Sequence, residues 1–152
     1  MKNITLKITG KTILEEPDSE KNEDILEFVT EGKLYSRDGV MLISYPESEL
    51  SGLAGWTTFL TIRDDNIRLK RSSGESELQT VMEFERGKRI NSSYQTPMGP
   101  IEMELLTNSI APFKEDSAGH SKMTIDYSVS LKGLLESHNT LDIEILGENS
   151  NV

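Results

Sequence analysis

Few residues in this chain have a type and a spacing that suit chemistry, and the first of them is Arg71. It continues the alternation of Ile67 and Leu69, so its guanidinium should point to the same side of the strand as their apolar side chains. At the mouth of a barrel, such a cation can hold a ligand carboxylate or phosphate through two parallel hydrogen bonds. The alternative, which we favour, is that Arg71 pairs with an acidic side chain of the protein itself.

Tyr94 is the second candidate, because it has the same parity as Ile90 and Ser92. Its ring is therefore expected on the inner face, with the hydroxyl available to a ligand. The stiff corner that follows, residues 97–100 (Pro-Met-Gly-Pro), offers a second explanation. In that reading Tyr94 is a core tyrosine and the corner sets the hairpin register, and we favour it over a role in binding.

Two further aromatic residues complete the candidate set. Trp56, the only tryptophan, opens a strand after Gly55 and is read first as a large apolar plug and second as a surface for stacking a ligand. Tyr127 lies in the most regular alternating segment, residues 123–131, on the face expected to be buried. The candidate ligand-binding residues are Arg71, Tyr94, Trp56 and Tyr127.

Catalytic and metal-binding signatures are not found. His120 and His138 are the only histidines, they follow no metal-binding spacing, and they are expected to be exposed polar residues. Paired acids such as Glu102 and Glu104 fall on the polar side of their strand and are expected to be solvated. No nucleophile elbow or glycine-rich phosphate loop is present. The sequence therefore predicts no catalytic residue, no metal ligand and no cofactor.

The elements that position these residues are β-strands. Apolar and polar residues alternate along most of the chain, and turn residues such as Asp38-Gly39 and Arg86-Gly87-Lys88 separate the alternating runs. About ten such runs joined by short loops predict an all-β fold, an antiparallel meander of about 8–10 strands that closes into a barrel. The predicted domain covers residues 1–147, with a frayed tail at 148–152. On the strand after residue 120, the alternation predicts that Ile125, Tyr127 and Val129 are buried while Thr124, Asp126 and Ser128 are exposed.

Composition excludes several classes of partner. The 152 residues include 26 acidic and 16 basic side chains, for a net charge of −10, which disfavours nucleic acid and anionic membranes. No apolar run approaches the length of a membrane span or of a secretory signal. The chain also has no cysteine, so it needs no oxidising compartment. A cytoplasmic location is expected.

From residue 45 onward the sequence resembles a known family. The resemblance is most specific in the run Tyr45-Pro46-Glu47-Ser48-Glu49-Leu50-Ser51-Gly52, and continues through Ile67-Arg68-Leu69-Lys70-Arg71 and Tyr94-Gln95-Thr96-Pro97-Met98-Gly99. These segments are similar to the YwiB-like family of bacterial proteins, a domain of unknown function. The resemblance implies a calycin, or lipocalin-like, β-barrel in a bacterial cytoplasm. It implies no catalytic residues.

Three functions remain open. The first is binding of a small, partly apolar or acidic molecule inside the barrel, because a barrel of this size can hold one ligand. The second is a protein–protein interaction module that docks a basic partner on its acidic outer surface. The third is an enzyme that uses inward-facing groups such as Arg71 and Tyr94. We favour them in that order, since no motif supports catalysis.

Overall fold

The computed structural model describes residues 1–14, 22–51, 55–64, 66–74, 79–96, 98–131 and 135–149, with the backbone alone for residues 22, 51, 94–96 and 149. Ten strands and one short 3-10 helix, Glu49–Ser51, make up its secondary structure. The strands are β1 (Lys2–Leu14), β2 (Asn22–Arg37), β3 (Val40–Pro46), β4 (Trp56–Arg63), β5 (Asn66–Ser73), β6 (Gln79–Glu85), β7 (Arg89–Thr96), β8 (Gly99–Glu115), β9 (Ser121–Leu131) and β10 (Leu135–Asn149). Within the described residues, no helix has the length and apolar character needed to cross a membrane.

The ten strands form one antiparallel sheet that curves into a nearly closed barrel. Consecutive strands are neighbours from β1 to β6 and again from β7 to β10, and β1 pairs with β10 to join the two runs. The all-β, antiparallel barrel predicted from the alternation is therefore confirmed. In a meander that closes into a barrel, the first and last strands become neighbours, which explains why β1 pairs with β10.

The seam of the barrel lies between β6 and β7, which no ladder joins within the described part of the chain. The tight turn between them, residues 86–88, is instead bonded to β8. The backbone N–H of Gly87 donates to the carbonyl oxygen of Thr107 at 2.9 Å, and the N–H of Thr107 donates to that of Lys88 at 3.3 Å. Arg86 Nη2 donates to the carbonyl oxygen of Ile110 at 2.6 Å. These bonds close one end of the seam.

The barrel core is formed by every second residue along the strands, whose side chains face the interior. One row, which we call the apolar floor, crosses four strands in register and is buried throughout: Ile43, Leu60, Leu69 and Met82. On the opposite wall, Ile125 and Ile143 are fully buried, and Ile4 and Leu6 of β1 join them. Burial of such aliphatic side chains, at about 1.5–3 kcal/mol each, stabilises the closed sheet.

The alternation predicted for β9 is correct in direction. Ile125 is fully buried, and Tyr127 and Val129 pack half-buried against the core. The outward residues of the same strand are half-buried rather than exposed, because neighbouring strands carry side chains that contact them; the Thr124 hydroxyl, for example, donates to Asp142 Oδ1 at 2.6 Å. The outward residues wrongly predicted as exposed are Thr124, Asp126 and Ser128.

The predicted tail, 148–152, begins too early. Strand β10 continues to Asn149, and Glu148 is paired with Ile4 of β1. Lys2 Nζ lies 3.0 Å from Glu148 Oε1, so an ion pair also joins the two strands there. Residues 150–152 lie outside the described part of the chain.

Gly32 marks the point at which β2 begins to pair with β3, one residue before the pair Lys33 and Ser44. A Cβ at position 32 would lie 2.5 Å from the backbone oxygen of Ser44 and 2.7 Å from Leu6 Cδ1. Because a backbone oxygen cannot move aside without disturbing the ladder, only glycine permits this close approach of β2 to β3.

We therefore predict that Gly32→Ala lowers the free energy of unfolding by about 1–3 kcal/mol, the usual cost of forcing extra volume into a packed site. Gly10→Ala is the matched control, since a Cβ there meets nothing within 4 Å and should leave stability unchanged or slightly raised. Urea denaturation of the two variants measures the difference. Equal midpoints for both would contradict the packing argument.

Candidate functional site: a polar girdle inside the barrel

One wall of the barrel carries a row of polar side chains directly beside the apolar floor. Tyr45, Thr58, Arg71 and Thr80 are paired in register across β3, β4, β5 and β6. All four have the inward parity of their strands. Tyr45, Thr58 and Thr80 are buried, and the side chain of Arg71 is 28% exposed.

A second polar row lies on the other wall. Thr12, Asn139, Tyr127 and Thr107 are paired in register across β1, β10, β9 and β8. Thr107 is fully buried, and the Thr12 hydroxyl donates to Asn139 Oδ1 at 2.9 Å. The ring of Tyr127 packs edge-on against Phe84, with the ring centroids 4.8 Å apart. We call the two rows together the polar girdle.

Glu47 supplies the negative charge of the girdle. Its side chain is only 3% exposed, and the Thr58 hydroxyl donates to its Oε1 at 2.5 Å. The backbone N–H of Glu47 donates to the carbonyl oxygen of Trp56 at 2.8 Å, which holds residue 47 against the start of β4. Arg71 Nε lies 3.5 Å from the same Oε1, so Glu47 and Arg71 form a largely buried ion pair.

The two girdle tyrosines are held in their protonated form. Burial raises the pKa of Tyr45 far above its ordinary value; the Glu47 carboxylate raises it further, and Arg71 acts in the opposite direction. Burial likewise raises the pKa of Tyr127, again opposed by Arg71. Both phenols are therefore hydrogen-bond donors at neutral pH, and Arg71 acts electrostatically on both.

Three buried polar atoms have no hydrogen-bond partner among the described residues, and all three belong to the girdle. They are the Tyr45 hydroxyl, Arg71 Nε and the Thr107 hydroxyl. Thr58 lies close enough to Tyr45 to lower the pKa of the phenol, but no hydrogen bond of good geometry joins the two hydroxyls, and the Thr58 hydroxyl donates to Glu47. The ion pair at 3.5 Å leaves the Nε–H of Arg71 without an aligned acceptor. A buried polar group without a hydrogen bond costs about 1–3 kcal/mol of folding free energy. An acceptor that bonded to these donors would remove that cost.

The structure brings together three of the four candidate residues from the sequence. Arg71 and Tyr127 are in the girdle. Trp56 is half-buried and lies two residues before Thr58 on β4, on the same inward side of the strand. Arg71 pairs with an acidic side chain, as the favoured alternative had it. Tyr94 lies on β7 opposite Ile101, and its side chain is outside the described part of the chain. A ligand-binding role for these residues stays a prediction.

Sequence reasoning did not place Tyr45, Glu47 and Thr58 in the site. The signal was present, because Tyr45 and Glu47 continue the parity of Ile43 and therefore had to face inward. Thr58 sits between the apolar residues of an inward-facing row on β4. What the sequence lacked was the register that sets Tyr45, Thr58 and Arg71 side by side.

The histidines lie outside the girdle, on the outer surface of the barrel. His138 Nε2 lies 2.6 Å from Asp126 Oδ1, and Asn108 Nδ2 donates to the same oxygen at 2.9 Å. Partial burial acts to raise the pKa of Asp126, but these two hydrogen bonds and the charge of His138 together lower it. The contacts tie β8, β9 and β10 together across a bulge in β8.

His120 belongs to the turn between β8 and β9. Its Nδ1 lies 3.3 Å from Glu144 Oε1. A ring nitrogen of His120 and carboxylate oxygens of Asp116 and Glu144 all lie within 4.8 Å of one another. Asp116 Oδ1 accepts the backbone N–H groups of His120 and Ala118, which lowers the pKa of that carboxyl. The carboxylate of Asp116 thus stabilises the turn through hydrogen bonds to its backbone. His120 and His138 are both half-buried, not exposed as the sequence predicted.

Comparison with known proteins agrees with this architecture. Residues 7–143 match the model of the family described as Domain of unknown function (DUF1934). The chain belongs to this family. The fold is also similar to that of a solved structure, the ywiB protein from Bacillus subtilis, with a TM-score of 0.68 over 94% of this chain and 92% of that one at 20% identity. No curated protein matches the chain in sequence. The YwiB-like resemblance is thereby confirmed, and the structural similarity concerns the fold alone.

The ion pair in the girdle can be tested by a double-mutant cycle. We predict that Glu47→Gln and Arg71→Met each lower the free energy of unfolding by about 2 kcal/mol, because each leaves a partner buried without its counter-charge. The double variant should cost about 1 kcal/mol less than the sum. The exposed pair Lys2 and Glu148 is the matched control, with a coupling near zero. Additive effects at both pairs would show that Glu47 and Arg71 do not interact.

The Asp126 contacts predict a pH dependence. Because the folded-state pKa of Asp126 is lowered, its contribution to stability is present above the ordinary carboxyl pKa of about 4 and is lost as the pH falls through the folded value. Asp126→Asn should therefore lower the free energy of unfolding by about 0.5–1 kcal/mol at neutral pH and by less near about pH 2.5. Chemical denaturation at both pH values measures this. Glu136→Gln, at an exposed site, is the control, and a loss for Asp126→Asn that grows on acidification would contradict the prediction.

Proposed function

We propose that the barrel binds one small molecule, and that the polar girdle holds a hydrogen-bond-accepting group of that molecule. The single observation that carries the proposal is a pair of buried donors without a partner among the described residues, the Tyr45 hydroxyl and Arg71 Nε, which lie on β3 and β5 on either side of Thr58 in the same inner wall. One acceptor between them would satisfy both. The Thr107 hydroxyl on the other wall is available to a further polar atom of the ligand.

The charge of the girdle narrows the chemical class of the accepting group. Glu47 already offsets the charge of Arg71, so the pair together is close to neutral. The buried carboxylate of Glu47 would repel a doubly charged phosphate most and a single carboxylate less, whereas a neutral carbonyl would meet two donors at the least electrostatic cost. We therefore propose a carboxylic acid or an amide in preference to a phosphate.

The surroundings of the girdle favour a ligand with an apolar part. The apolar floor lies on one side of the first row, Trp56 lies on the other, and the rings of Phe84 and Tyr127 pack together at the second. Binding sites for small molecules commonly combine such walls with a few convergent polar groups. Lipocalin-like barrels use their interior in this way, and the sequence resemblance to that class supports the proposal by analogy. We retain the expected cytoplasmic location as part of it.

The first experiment is a native mass spectrum of the protein purified from its own host under gentle conditions. We expect an added mass of a few hundred daltons, typical of one small ligand, that disappears when the protein is denatured. Tyr45→Phe and Arg71→Met should lose most of that mass. Tyr35→Phe and Arg68→Met are the matched controls, because both residues lie on the outer surface, and they should retain it.

Two results would overturn the proposal. One is a wild-type protein whose native mass equals that of the chain alone. The other is an added mass that Tyr45→Phe retains as fully as Tyr35→Phe does, because the ligand would then lie elsewhere. Thermal unfolding of all four variants shows whether each is folded before its mass is interpreted.

A further inference from the structure

The outer face of β2 to β5 carries two rows of side chains in register. The first row is Tyr35, Leu42, Thr61 and Arg68, and the second is Lys33, Ser44, Phe59 and Lys70. Neighbouring positions of a row are about 5 Å apart, so each row spans about 15 Å of the surface. The two rows lie side by side, two residues apart along every strand.

The centre of this surface is apolar. Tyr35, Leu42 and Phe59 are 38%, 41% and 45% exposed, which is unusual for three large apolar side chains on adjacent strands. They line a groove of about 330 Å³ on the outside of the barrel, together with Lys33 and Ser44. Burial of this groove by a partner would be favourable.

Basic side chains lie at the two ends of the same surface, Lys33 on β2 and Arg68 and Lys70 on β5. Lys33, Arg68 and Lys70 form no ion pair within the described part of the chain, although Glu83 is the cross-strand neighbour of Arg68. Several cations elsewhere on the outside have acidic partners. Lys7 and Lys11 of β1, for example, pair with acidic residues of β2. In a chain with a net charge of −10, a surface that carries three cations with no ion-pair partner among the described residues is a distinct local feature.

We infer that this surface, formed by Lys33, Tyr35, Leu42, Phe59, Arg68 and Lys70 and named here the basic-aromatic patch, docks an acidic segment of a different protein that also carries apolar side chains. The apolar groups of the partner occupy the groove, and its carboxylates meet the three cations. Charge complementarity of this kind sets the choice of partner and speeds the encounter.

A second copy of the chain is a poorer occupant. A symmetric dimer through this face would bring the cations of both copies into one interface, where they repel one another. Docking onto an acidic face of another copy would be head-to-tail and would not close on itself. Nucleic acid is also disfavoured, because three cations are few for phosphate binding and a phosphate backbone offers no apolar side chain to the groove.

The test uses the full chain labelled with ¹⁵N and an unlabelled peptide of about 12 residues, in which Asp and Glu alternate with Leu and Phe. We expect amide shift changes confined to β2 through β5 and binding that weakens steeply with added salt. Arg68→Glu should weaken binding about tenfold or more. Phe59→Ser should also weaken binding, but added salt should reduce the affinity of this variant by the same factor as that of the wild type. Lys114→Glu, at an exposed cation on β8, is the matched control and should bind as the wild type does.

Four outcomes would overturn the inference. They are the absence of shift changes at β2 to β5, an equal loss of binding in Arg68→Glu and Lys114→Glu, tighter binding of a 12-nucleotide single-stranded DNA than of the peptide at the same face, and a concentration-dependent dimer that Arg68→Glu abolishes. The second would indicate a response to net charge alone, the third a nucleic-acid site, and the fourth a contact between copies of the chain. Each is distinct from a failure of ligand binding inside the barrel.

Discussion

The strict alternation of side chains across a β-strand is the constraint on which the rest of this structure depends. In a closed sheet, every second residue must enter the lumen, whether it is apolar or not. Where the sequence supplies Ile43, Leu60 and Leu69 at these positions, the interior is a packed core. Two residues further along β3 and β5, the same constraint brings Tyr45 and Arg71 into the lumen and creates a polar girdle. The residues that alternate with these inward-facing ones form the outer face of the barrel.

Alternation is visible in a sequence, and register is not. The strands, the antiparallel barrel and the inward direction of Arg71 follow from alternation alone, and residues 101–106 lie in a strand despite their many helix-forming side chains. The neighbours of each residue across the sheet depend on turn lengths and bulges, such as the shift between Thr107 and Ser109. For that reason Glu47 could be expected to face inward but could not be matched with Arg71. The basic-aromatic patch was hidden for the same reason, since its members come from four strands.

Burial and charge then give the girdle its chemical character. The side chain of Glu47 is almost wholly buried and accepts a hydrogen bond from the Thr58 hydroxyl, while the Tyr45 hydroxyl and the Nε–H of Arg71 stay as donors without a partner among the described residues. A structural ion pair would normally be surrounded by hydrogen bonds that satisfy both partners, because buried polar groups are costly when they are not paired. The donors that have no partner in the described part of the chain distinguish this girdle from a purely structural polar core. Their position beside an apolar floor is the basis for proposing a ligand with one accepting group and an apolar body.

The most direct test of this account is a high-resolution crystal structure of the protein purified from its own host. The account predicts ordered density inside the barrel for an atom within about 3.2 Å of both the Tyr45 hydroxyl and Arg71 Nε, belonging to a molecule that extends toward the apolar floor or Trp56. Density in which the Tyr45 hydroxyl and Arg71 Nε instead bond directly to protein atoms, with side chains filling the space between the two walls, would contradict it.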